Sequence, residues 1–270
     1  MYRSPIVRLV TLAVAVTAVT FGVSLQALQQ KPFEPQVGQS GKDVVWVPTP
    51  DALVQKMLDM AKVTSTDIVM DLGSGDGKTV IAAAKRGARA YGIEYNPDMV
   101  ALSERRAKEA GVSATATFAK ADLFETDFSR ATVITMFLLP DINLKLRPKI
   151  LDLRPGTRIV SNSFTMGEWE EDERATINEN CTSWCTALLW IVPAKVAGRW
   201  TVGSETLTLT QEFQKLSGTL GATPITNAKM TGDQIAFTAG NRTFRGRVSG
   251  MAMQGTITGG AGGSFTAMKQ

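Results

Sequence analysis

Asp71-Leu72-Gly73-Ser74-Gly75-Asp76-Gly77-Lys78-Thr79 is the stretch whose spacing decides the fold of this chain. It closes a short apolar run, D-I-V-M-D-L at 67–72, that reads as a buried strand. Residues 79–86 after it read as a helix stopped by Gly87. A glycine-rich turn between strand and helix lets the backbone approach a ligand closely, and the helix N-terminus adds unpaired N–H groups. Three ligand classes compete for such a turn. A P-loop needs G-x-x-x-x-G-K-[ST]; Gly77-Lys78-Thr79 supplies its end, but Leu72 stands where the first glycine must be. A dinucleotide turn needs G-x-G-x-x-G, and Lys78 occupies the place of its third glycine. The third class wants a carboxylate two residues before the first glycine, and Asp71 is there. That acid suits a ligand with cationic groups rather than a pyrophosphate. Asp71, Gly73, Ser74, Gly75 and Gly77 are therefore candidate binding residues.

Working outward, strands are expected at 90–94, 114–118, 132–137 and 157–163, with helices at 50–61, 96–110 and 140–153 between them. Thr49 is a candidate N-cap with Pro50 at the first helical position, and Asn96-Pro97 opens the next helix in the same way. Strands alternating with helices at this spacing predict an α/β fold, a parallel sheet with helices on both faces. Two more acids fall at successive strand ends. Glu94 is placed to accept hydrogen bonds from both hydroxyls of a ribose; Asp122 is placed to accept one from an adenine amino group, with Leu123 or Phe124 against the ring. From 198 the pattern changes to eight short alternating segments punctuated by Gly or Asn, which predicts a small all-β domain, a barrel or a sandwich. The expected division is residues 1–28 a leader or anchor, 29–45 a linker rich in Gln, Pro, Gly and Ser, 46–193 the α/β domain and 194–270 the β-domain.

Composition narrows the chemistry. With 44% apolar and 20% charged residues the chain can bury a core. It contains no histidine, which excludes Ser-His-Asp triads, Cys-His dyads and His-ligated zinc. Its net charge of +4 sits in the β-domain, where eight Lys/Arg face three Asp/Glu from Ala194 onward. That surplus reads as a solvated face, and no nucleic-acid partner is expected. Arg3 and Arg8 precede an apolar run at 9–23, the layout of a secretory leader or an uncleaved membrane anchor. The positive-inside rule then places the remainder of the chain outside the cytosol. Cys181 and Cys185 are either a bridge across a tight hairpin, as an exported chain would allow, or two buried thiols. Trp184, Trp190 and Trp200 read as core.

The region from Val47 to about Pro193 resembles class I S-adenosylmethionine-dependent methyltransferases. More narrowly it resembles the seven-strand protein-lysine methyltransferases that modify the ATP synthase c-subunit and the adenine nucleotide translocase, with their bacterial relatives. The stretches that carry the likeness are Trp46-Val47-Pro48-Thr49-Pro50, Asp71 to Gly77, Gly92-Ile93-Glu94, and Phe137-Leu138-Leu139-Pro140 with Asn143. The resemblance implies S-adenosyl-L-methionine as cofactor and a protein substrate. It also implies that Pro48 and Thr49 fold over the cofactor and that Leu139 and Pro140 line the methyl-transfer channel. Asp141 is the acid expected nearest that channel, or else a helix-start residue, and Asn143 and Asn162 could orient an amine. S-adenosylmethionine is made in the cytosol, which conflicts with export. Two readings therefore stand: a methyltransferase, and an exported or tethered binding module that keeps the cofactor fold and acts through its β-domain. The oligomeric state is not legible.

Overall fold

The five residues Ile68–Leu72 form β1, an inner strand of a sheet closed in by helices on both faces, and the chain is described here by a computed structural model covering residues 33–270. The leader or anchor expected at 1–28 lies outside the described residues. Strands β1, β2 (Arg89–Glu94), β3 (Ala116–Lys120), β4 (Val133–Met136) and β5 (Arg158–Asn162) are parallel. Successive β1 side chains point to opposite faces, as strand geometry dictates. Val69 joins the core under helices α1 (Asp51–Met60), α2 (Lys78–Lys85) and α3 (Pro97–Glu109), whereas Met70 and Leu72 join the one under α4 (Pro140–Leu151). Four of its five residues are buried, and apart from Asp71 the run is apolar, as a strand covered on both faces requires.

The five parallel strands are followed by an antiparallel pair, at the tight hairpin the sequence allowed around Cys181 and Cys185. Strands β6 (Glu173–Thr176) and β7 (Thr186–Ile191) make a hairpin whose β7 runs antiparallel to β5, giving the seven-stranded order β3-β2-β1-β4-β5-β7-β6. A connection as short as that between β6 and β7 permits only antiparallel pairing. Helix α1 starts at Asp51, with Pro50 rather than Thr49 at the cap, because the Thr49 hydroxyl accepts a hydrogen bond from Asn162 and its carbonyl one from Lys78. Asn96 caps α3 as expected, accepting from the Asp98 N–H at 2.9 Å with Pro97 in the first turn.

Strands β8 (Gly198–Val202), β9 (Glu205–Glu212), β10 (Lys215–Leu220), β11 (Thr223–Thr231), β12 (Gln234–Ala239), β13 (Arg242–Ser249), β14 (Ala252–Thr258) and β15 (Gly263–Lys269) close into a barrel. The barrel interior is filled by its own side chains, as eight strands allow. Phe237 stacks on Phe244 with centroids 4.6 Å apart, Phe244 meets Phe265 edge-on, and Trp200 and Met230 are fully buried among them. It docks at the end of the sheet where the parallel strands begin. Ala194 N–H donates to the Gly232 carbonyl, Gln214 donates to the Glu170 carbonyl, and Lys229 pairs with Asp172 at 3.0 Å. The apolar centre of this joint is Trp169, which stacks on Phe213 at 6.0 Å and accepts at its carbonyl from the Trp190 indole N–H. Trp190 and Trp200 are fully buried, in keeping with the sequence reading. Trp169→Ala should cost about 3–5 kcal/mol, because a fully buried large ring is lost at a site pinned from two sides. Equilibrium urea unfolding checks it, and a loss under about 1 kcal/mol would show that the joint is not a structural core.

Candidate active site

The glycine turn, the second strand end and the chain before α1 converge on one cleft. It lies at the ends of β1, β2 and β4, the switch point where an open sheet with this strand order leaves a crevice. Gly73, Ser74 and Gly75 line it together with Pro48, Thr49, Asp71, Glu94, Asp122, Leu123 and Leu139. Gly77 does not. It starts α2 at φ +76°, and a Cβ there would lie 2.7 Å from the Ser103 side chain, so this glycine serves the turn and the packing beneath it.

Asp71 is 6% exposed, and its carboxylate accepts from the Thr135 hydroxyl at 2.7 Å. Burial, reinforced by the Asp76 and Glu94 carboxylates, raises its pKa to about 7 against the pull of Thr135. Glu94 ties the two loops together: one oxygen accepts from Gly75 N–H and the other from Asn96 N–H, both at 2.9 Å. Each oxygen keeps a second lone pair for a ligand hydroxyl. Ser74 Oγ is buried at the cleft without a hydrogen-bond partner, a group that a polar ligand can satisfy. Lys78 is not free to hold a phosphate; its ammonium meets the Thr49 carbonyl at 3.1 Å and Asp51 at 2.8 Å.

Residues 39–47 form part of the wall, although the sequence reads as linker as far as residue 45. This strap is held by backbone bonds between Gly38 and Trp46 and between Gln39 and Trp46. Trp46 lies over the turn so closely that a Cβ on Gly75 would come within 2.7 Å of its indole nitrogen. Lys42 of the strap pairs with Asp122 and sits 4.9 Å from the Tyr95 ring centroid. The acid read as an adenine partner therefore already holds an ammonium on one oxygen and the Phe124 N–H on the other.

The residues read as catalytic are not gathered in the cleft. Leu139 lines it, but Pro140 and Asp141 are exposed on the first turn of α4 and do not. Asp141 stands in the first turn of α4, between the cleft-lining Leu139 and Ile142. Asn143 is fully buried and donates to the Thr165 carbonyl at 3.1 Å and the Phe164 carbonyl at 3.4 Å, so it fixes a loop. Asn162, also fully buried, donates to Thr49 Oγ1 at 3.3 Å and accepts from Ser163 Oγ. Sequence reasoning gave no site role to Phe137, Phe164 and Trp184, which line the cleft beyond β4. Trp184 is 44% exposed rather than core, and it stands beside a Cys181–Cys185 disulfide in the loop between β6 and β7. No sequence period marks a lone aromatic in a loop. Among the described residues there is no cluster of potential metal ligands, and no helix is long and apolar enough to cross a membrane.

The fit to a sulfonium nucleoside is good on these grounds: carboxylates for positive charge, an acid with spare lone pairs at the second strand end, and a glycine cradle. Comparison with known proteins agrees. Residues 71–173 match the ANTKMT methyltransferase domain model. A protein-lysine N-methyltransferase of Saccharolobus islandicus is 44% identical over 133 residues, 48% of this chain and 83% of that protein. The ATP synthase c-subunit lysine N-methyltransferase of Xenopus laevis is 37% identical over 128 residues, 47% of this chain, which spans only 56% of that protein. An RNA methyltransferase of Salinibacter ruber, solved with S-adenosyl-L-homocysteine, is 45% identical and matches over 56% of this chain and 96% of that one, at a TM-score of 0.52. The chain belongs to the class I S-adenosylmethionine-dependent methyltransferases, in the family of the ATP synthase c-subunit and adenine nucleotide translocase lysine methyltransferases.

Proposed function

We propose that this methyltransferase acts on lysine side chains of a protein. The observation that carries the reading is the 44% identity to the archaeal protein-lysine N-methyltransferase, 83% of which the chain spans. The similarity to the RNA methyltransferase of Salinibacter ruber favours a second reading, with RNA as acceptor. S-adenosylmethionine supplies a methyl group on a sulfonium, which an amine lone pair takes in line as the N–C bond forms and the C–S pair returns to sulfur.

The chain's own part is to bind, orient and desolvate. Asp71 and Glu94, neither of them in an ion pair among the described residues, give one half of the cleft its negative charge, suited to a cationic ligand. Trp46 and the strap shield the glycine turn from solvent. The attacking amine must first lose a proton, and the chain has no histidine to take it. Leu138 and Leu139 form an apolar wall there, and such burial lowers an ammonium pKa. The proton then leaves to water at the mouth, where Leu139 and Trp184 are both exposed.

We infer further that the chain works in an oxidising compartment. The Cys181–Cys185 bridge supports this, in line with the expectation from residues 1–28. Protein recovered from its native compartment without reductant should carry the 181–185 peptide two hydrogen atoms lighter than its reduced form, by mass spectrometry. Two free thiols there would count against export.

The acceptor is tested by incubating the full chain with methyl-labelled S-adenosylmethionine and either cell protein or cell RNA. Label should enter protein and appear as methyl-lysine after acid hydrolysis. Label confined to RNA would replace the proposal with the second reading. The cofactor side has its own pH signature. Asp71 has an ordinary pKa of 3.8 and one of about 7 in the fold, so between those values the folded chain holds a proton that the unfolded chain lacks. Stability therefore falls as pH rises through that window. A cationic ligand favours the ionised acid, so the affinity for S-adenosylmethionine should rise about tenfold from pH 6 to pH 8. Asp71→Asn should bind weakly and without that pH dependence. Calorimetry at the two pH values decides, and a flat profile in the native chain would remove Asp71 from the charge-bearing role.

A further inference from the structure

The strand order divides the cleft. β3, β2 and β1, on one side of the switch point, contribute Asp122, Glu94 and Asp71 at their ends. β4 and β5 and the β6–β7 loop, on the other side, contribute Phe137, Phe164 and Trp184. If the cofactor takes the acidic half, the acceptor enters over the aromatic one. Phe137 and Phe164 are nearly parallel, with centroids 5.7 Å apart and 21° between planes. Trp184 is tilted 59° to the first and 46° to the second, at 5.9 and 5.0 Å. Phe137 and Phe164 stack, Trp184 packs tilted against both, and this outermost ring remains 44% exposed.

These rings are held firmly for a loop surface. Ser163, immediately before Phe164, has φ +60°, and Trp184 itself has φ +58°, a left-handed conformation that a bulky residue adopts only when its surroundings impose it. For Phe164 those surroundings are Ser161 Oγ, donating to its carbonyl at 2.7 Å, and Asn143, donating to the same carbonyl and the next. For Trp184 they are the Cys181–Cys185 bridge, which closes the chain on both sides of the ring. An exposed tryptophan fixed in this way does little for folding. It leaves much of its surface in water and belongs to none of the three cores.

We propose that Phe137, Phe164 and Trp184 form the acceptor subsite, a wall of ring faces that takes the stem of the alkylamine and holds its N-methylated ammonium, with the Cys181–Cys185 bridge setting Trp184 in place. The assignment rests on the lysine reading above. An N-methylated ammonium is weakly hydrated and is attracted by the faces of aromatic rings within about 6 Å of their centroids. Trp184 is thereby a specificity-determining residue, and Asn143 and the two cysteines are positioning residues.

The probe is a pair of small molecules of one shape, choline and its uncharged isostere 3,3-dimethylbutan-1-ol, titrated by NMR into the full chain saturated with S-adenosylhomocysteine. Choline should bind about five- to tenfold more tightly. Trp184→Ala should abolish the preference and Trp184→Phe restore part of it. The double variant Cys181→Ser/Cys185→Ser should weaken choline binding several-fold, with S-adenosylhomocysteine affinity unchanged in all three as proof of fold. With a methylated protein in hand, Trp184→Ala should raise the acceptor KM far more than it lowers kcat. Equal binding of the two probes by the native chain, or a preference that survives Trp184→Ala, would overturn the subsite. A chain that prefers choline yet labels only RNA would overturn the lysine reading and with it the alkylamine acceptor, while leaving the ring contacts in place.

Discussion

The structure turns on one buried carboxylate. Asp71 stands at the end of a strand buried on both faces, and the Thr135 hydroxyl donates to it while Asp76 and Glu94 add negative charge nearby. Burying an acid without a cation is unfavourable, which is why its pKa rises to about 7. The nearby cations are engaged elsewhere: Arg106 pairs with Asp76, Lys42 with Asp122 and Lys78 with Asp51. A site that keeps such a charge uncompensated has its most stable form with a cationic ligand in it. The rest of the cleft is arranged around that position. The glycine turn lies beside Asp71, Glu94 closes the turn from the next strand, and Trp46 lies across it.

Much of this was legible in the sequence because it depends on spacing alone. The interval from Asp71 to Gly73 separated a sulfonium ligand from a phosphate one, and Glu94 followed from its place at a strand end. What stayed hidden depends on contacts distant in sequence. The strap has no period and reads as linker through residue 45; it is held by Trp46 against Gly75 and by Lys42 against Asp122, 80 residues away. Strand β6 is a short polar edge, exposed along most of its length, so it lacks the apolar alternation that announces a strand. Asp141 shared a neighbourhood with the channel residues, but it sits on the exposed side of α4's first turn. Asn143 reads as an amine ligand because it is polar at a catalytic-looking place; its amide N–H group instead donates to the Phe164 and Thr165 carbonyls, while its Oδ1 is buried without a partner.

The β-barrel sits apart from the chemistry in a definite sense. Its joint with the sheet involves residues 152–156, 169–172 and 191–194, at the end where parallel strands start, whereas the cleft is at the end where they stop. Among the described residues none from the barrel lines the cleft. Its interior is packed with Trp200, Phe237, Phe244 and Phe265, so a partner recognised by the barrel would meet its outer surface. A binding role for that surface and methyl transfer at the cleft are therefore compatible in one chain.

The division of the cleft across the switch point also explains how a chain without histidine can manage an amine. Acids gather where the positive charge of the cofactor is to be held, the hydrocarbon of Leu138 and Leu139 where an amine must shed its proton and its water, and the rings where the methylated ammonium is to be held. In a single uniform pocket these demands conflict, since carboxylates beside the amine would keep it protonated. Strand order resolves the conflict: β1 carries Asp71, β4 beside it leads directly into Phe137 and Leu138, and the two are hydrogen-bonded neighbours. The acid meets β4 through the Thr135 hydroxyl, which spends its proton on Asp71 and leaves the apolar wall without a charge of its own.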